Sequence, residues 1–104
     1  MSAFEVRIEG DARVVVVGEL DMATAPHLTS ALDAVARAEP ERVVVDLASV
    51  SFLDSSGLAA LFLAQARLQE GGGVLVLGPI STSVRSVLQM AGLERAFVVE
   101  PPGG

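Results

Sequence analysis

Three runs of valine and leucine constrain this chain most: "VVVV" at 14–17, "VVV" at 43–45 and "VLVL" at 74–77. Apolar residues on both sides of a short run mark strands covered on both faces, as in parallel sheets. The stretches between the runs read as helices. "DMATAPHLTSALDAVARAEP" places Leu28, Leu32 and Val35 on one helical face. Thr24 stands at the expected N-cap, Pro26 falls in the first turn, and Pro40 ends the helix. After "SFLDSSG", Leu58, Leu61, Phe62 and Leu68 mark a buried stripe, with Gln65, Arg67, Gln69 and Glu70 on the wet side. The triple glycine at 71–73 stops that helix. In "PISTSVRSVLQMAGL", Val84, Val87, Leu88 and Ala91 share a face, and Gly92 is the cap. At the start, Phe4, Val6 and Ile8 alternate with Glu5 and Arg7, and a Gly10-Asp11 turn leads into the first valine run. "ERVVVDLASV" is the third strand, ending at Val50, and "RAFVVE" makes a short last strand. The order is β-β-α-β-α-β-α-β. Right-handed crossovers then give a largely parallel sheet with one antiparallel edge.

Composition narrows the function. A chain of 104 residues is expected to be a single domain, over 1–100, with 101–104 as a frayed tail. Aromatics are only 4%, so Val, Leu and Ala build the core. No apolar run reaches the roughly 20 residues of a membrane span. "MSAFEVRIEG" lacks the basic and apolar regions of a signal peptide. The absence of cysteine excludes disulfides, thiolate nucleophiles and cysteine metal sites, and fits a cytoplasmic protein. The net charge is −6, and the 7 basic residues, all Arg, are scattered. Direct nucleic-acid binding needs a basic patch that this chain does not have. A protein partner or a small ligand is expected instead.

Catalytic arrangements are thin. His27 is the only histidine, placed in the first turn of a helix, and no G-x-S-x-G pattern surrounds the serines. The carboxylates Glu19, Asp21, Asp46 and Asp54 lack metal-ligand spacing. "EGGGVLVLG" enters a strand from a helix, the reverse of a nucleotide-binding loop. No catalytic residue, metal or cofactor is therefore expected. What remains is Asp54-Ser55-Ser56-Gly57, which follows the third strand and opens the second helix. In an open α/β sheet, loops at the carboxyl ends of strands are where function concentrates. The residues themselves allow two readings. Asp54 or Ser55 can cap the helix. Alternatively, a phosphoryl group on Ser55 would meet free N–H groups at the helix start, and its charge would act on whatever docks there.

Three segments of the chain resemble the STAS-domain anti-sigma factor antagonists of bacteria. These are "GELDMATAPHL", "VVVDLASVSFLDSSGLAAL" and "GGGVLVLGPISTSVRSVLQMAGL". The Asp-Ser-Ser-Gly-Leu match, in register with the other two, is the specific part. The resemblance implies an α/β fold: a mixed sheet of four to five strands with helices packed mainly on one side. It also implies partner switching. The unphosphorylated antagonist binds an anti-sigma factor that is itself a serine kinase, and so releases a sigma factor. Phosphorylation ends the binding, and a serine phosphatase restores it. By position, the phosphoacceptor is Ser55. Asp21, Leu53, Asp54, Ser56 and Gly57 form the switch loop and its partner contact, with Ser56 in a structural role and Gly57 permitting a tight helix start. The protein is then a binding module, not an enzyme. An alternative within the same fold is a scaffold or small-ligand sensor without regulated phosphorylation.

Overall fold

The three valine-rich runs lie side by side in the middle of one five-stranded sheet, in the order β1-β2-β3-β4-β5. The computed structural model describes residues 3–100. Its elements are β1 (Glu5–Glu9), β2 (Arg13–Leu20), α1 (Ala25–Ala36), β3 (Arg42–Leu53), α2 (Ser55–Glu70), β4 (Val74–Ile80), α3 (Thr82–Met90) and β5 (Val98–Val99). The tail expected at 101–104 lies outside the described residues. β1 and β2 form an antiparallel hairpin from Glu5↔Val17 to Glu9↔Arg13, and every later pairing is parallel. Each crossover moves one place along the sheet in the same direction. Right-handed connections then put every crossover helix on the same face.

The core shows this arrangement. Val14, Val16, Val43, Val45, Leu47, Leu75 and Leu77 pack with Leu28 and Leu32 of α1, Leu61 and Leu68 of α2, and Val84 and Leu88 of α3 in one cluster. The alternate residues turn to the uncovered face. There Arg13 donates to Asp46 at 2.7 Å, Arg42 donates to Glu100 at 2.9 Å, and Arg7 pairs with Glu5 and Glu9. Val15 is buried on that face opposite Arg7 and Asp46, and Val76 is buried there opposite Val44 and Val98.

Three local readings of the sequence need correction. β3 does not end at Val50: Ser51, Phe52 and Leu53 continue it, because Glu19 and Leu20 of β2 pair with Phe52 and Leu53 after a register shift. Thr24 holds the N-cap position of α1, but its side chain makes no cap bond. The Asp21 carboxylate instead closes the turn before the helix, accepting from the backbone N–H groups of Ala23 at 2.9 Å and Thr24 at 3.0 Å, and the first helical N–H, of Ala25, donates to the Asp21 backbone carbonyl at 2.8 Å. Ala91 is exposed and follows the last residue of α3. The helix closes through Gly92 (φ 70), with the Leu93 N–H reaching the Leu88 carbonyl at 2.7 Å.

Candidate functional site

The site forms where β2 and β3 end side by side. Asp54 is the one residue between β3 and α2. Its backbone N–H donates to the Leu20 carbonyl at 3.1 Å, which ties the start of α2 to the end of β2. Asp21 follows Leu20 and Ser55 follows Asp54, so this bond holds the two loops together. Asp21 is fixed by a local box. Its N–H donates to Thr24 Oγ1 at 2.9 Å, and Thr24 Oγ1 donates to the Glu19 carbonyl at 2.7 Å. One carboxylate oxygen of Asp21 is spent on this turn, and Oδ2 has no partner among the described residues.

Asp54 is extended and caps α2. Its Oδ1 accepts from the N–H of Ser56 at 2.8 Å and of Gly57 at 3.3 Å. Two first-turn donors, Ser56 and Gly57, are therefore occupied, and of the N–H groups expected to be free for a phosphoryl group on Ser55 that of Ser55 itself has no partner among the described residues. A phosphoryl group here would place its charge on the residue next to the Asp54 carboxylate. Ser55 itself is exposed, and its hydroxyl has no hydrogen-bond partner among the described residues. His27 lies in the first turn of α1 with its ring 6.0 Å from that of Phe4. No cluster of three potential metal ligands occurs among the described residues.

The remaining site residues divide by depth. Leu53 is only 3% exposed, so its side chain supports the turn from within the core and does not reach a partner. Gly57 is buried against it. A Cβ there would overlap the end of the Leu53 side chain and lie 3.1 Å from the Leu20 Cβ, so any larger residue would push Leu53 and Leu20 away from the start of α2. Ser56 is half-buried and lines an open groove between α1 and α2, with Met22, Pro26, Thr29, Ala59 and Leu63. Met22 is 79% exposed and Leu63 63% exposed. The sequence reading assigned neither of them to the site. Leu63 sits beside Phe62 and between positions that face the core, so only the helix orientation reveals it as outward.

The geometry is thus a corner tied by a backbone hydrogen bond: a free serine hydroxyl, two carboxylates, and apolar side chains facing solvent. The family model described as "Mlab, STAS domain" matches residues 4–100. The chain belongs to the STAS domain family. The anti-sigma-F factor antagonist RsfB of Mycobacterium tuberculosis is 31% identical over 90 residues, covering 85% of this chain and 71% of the relative. A crystal structure of an anti-sigma factor antagonist from Mycobacterium paratuberculosis has TM-score 0.79 and 31% identity, covering 99% of this chain and 88% of that one. SpoIIAA, a Bacillus protein solved in its phosphorylated form, shares the STAS fold at TM-score 0.67 and 22% identity, covering 96% of this chain and 93% of that one. In this STAS domain, no described helix is long and apolar enough to cross a membrane.

Proposed function

We propose that the protein is an anti-sigma factor antagonist whose binding is switched off by phosphorylation of Ser55. The observation that carries this reading is the exposed, unbonded Ser55 hydroxyl at the one-residue junction of β3 and α2. The similarity to antagonists supports an anti-sigma factor as the partner; in this proposal the partner is also the serine kinase, and a serine phosphatase reverses the mark. The docking surface is Ser55, the free edge of Asp21, Ser56, and the groove beside Met22 and Leu63. Apolar contacts there supply affinity through desolvation. A phosphoryl group adds a charge of about −1.5 to −2 next to Asp54. A partner surface fitted to a neutral serine would have to bury that charge unpaired. The cost is several kcal/mol, enough to abolish a contact of micromolar strength.

The test uses three baits, wild type, Ser55→Ala and Ser55→Asp, on native lysate, with captured proteins identified by mass spectrometry. Wild type and Ser55→Ala are expected to retain a protein with an ATP-binding kinase domain that Ser55→Asp loses. That protein, given ATP, should then phosphorylate wild type at residue 55 and leave Ser55→Ala unmodified. Equal retention by all three baits would defeat the proposal.

A further inference from the structure

Strand β1 is an edge of the sheet and pairs only with β2 among the described residues. Its outer backbone groups are open to another strand. The segment Phe4-Glu5-Val6-Arg7-Ile8 has a chemical symmetry about its middle: apolar, acid, apolar, base, apolar. We propose that this edge pairs with the same edge of a second copy of the chain, antiparallel and centred on Val6.

In that register Glu5 of each copy lies opposite Arg7 of the other, and Phe4 lies opposite Ile8. Directly opposed residues of an antiparallel pair share a face of the sheet. The charges therefore meet on the uncovered face and the apolar side chains on the helix-covered face. The covered face has room for them. Beside β1 an open groove is lined by Phe4, Val6, Ile8, Thr24, His27 and Ala31, and Ile8 is 49% exposed. The same patch on both copies makes a closed, twofold contact.

Competing registers are poorer. A shift by one residue sets charges opposite apolar side chains. Centring on Arg7 puts Arg7 opposite Arg7 and Glu5 opposite Glu9. Centring on Ile8 matches Arg7 with Glu9, but it sets Val6 opposite Gly10 and runs into the hairpin turn. Only the Val6 register matches all five residues from Phe4 to Ile8. Because the paired strands run oppositely, the two Ser55 sites face opposite ends of the joined sheet and stay accessible together.

Sedimentation velocity across a concentration series, up to about 1 mM, is the test. Wild type is expected to dimerise as concentration rises. Arg7→Glu sets Glu against Glu, and Glu5→Arg sets Arg against Arg; each should weaken the dimer by about tenfold. An equimolar mixture of the two variants restores both opposite-charge pairs and should dimerise as wild type does. Both positions are exposed and circular dichroism verifies folding. Glu5→Arg also lowers the net negative charge, so nonspecific association would strengthen where the proposed contact weakens. A monomeric wild type over the whole range overturns the proposal. So does a stronger dimer in Glu5→Arg, or rescue of Arg7→Glu by Glu9→Arg in place of Glu5→Arg.

Discussion

Asp54 carries two roles that work against each other once Ser55 is modified. As a cap it satisfies two backbone donors of α2. As a carboxylate it stands next to any charge placed on Ser55. Asp54→Ala removes the cap and should cost about 1 kcal/mol, read as a fall of roughly 4–8 °C in melting temperature. Asp54→Asn keeps an oxygen that caps about equally well, so its unmodified form should melt near wild type. Phosphorylation of Ser55 should then lower the melting temperature of wild type more than that of Asp54→Asn, because only wild type opposes two negative groups. Equal shifts in the two proteins would show that Asp54 does not feel the added charge. The sequence suggested a cap at Asp54 or Ser55. It did not reveal that the cap takes the Ser56 and Gly57 donors, since that depends on the rotamer and the extended backbone of Asp54.

At the scale of the element, α2 divides its leucines between stability and recognition. Leu61 is fully buried in the core, whereas Leu63 points to solvent beside the groove. Leu61→Ala should cost about 2–5 kcal/mol in chemical denaturation. Leu63→Ser should leave stability within about 0.5 kcal/mol and weaken capture of the partner. Similar stability losses for both would mean that α2 does not present Leu63 outward. All eight elements were legible from periodicity, because valine runs and helical stripes are local signals. The ends of elements were less so. Ser51 and Phe52 look like a loop by composition, and only their pairing with β2 keeps them in β3. Likewise the outward place of Leu63 depends on how α2 meets α1, which no single window of sequence contains.

The whole molecule is one-sided: three helices cover one face of the sheet, and charged pairs spread over the other. Stability should follow that asymmetry. Arg13→Ala, which breaks a partly exposed pair with Asp46, should cost no more than about 1 kcal/mol, while Leu47→Ala on the covered face should cost about 2–5 kcal/mol. A larger loss from Arg13→Ala would place unexpected weight on the open face. The topology that makes the protein one-sided also gathers the carboxyl ends of β2 and β3 at one corner, with a single residue of backbone between β3 and α2. A junction that short has no slack to take up a second shape. A mark made there is therefore held only as a covalent bond, and thermal motion cannot erase it. Under the proposed phosphorylation of Ser55, the protein would work as a one-bit memory, written and cleared by enzymes that act on it and silent between those events, with a retention time set by chemistry rather than by its own relaxation.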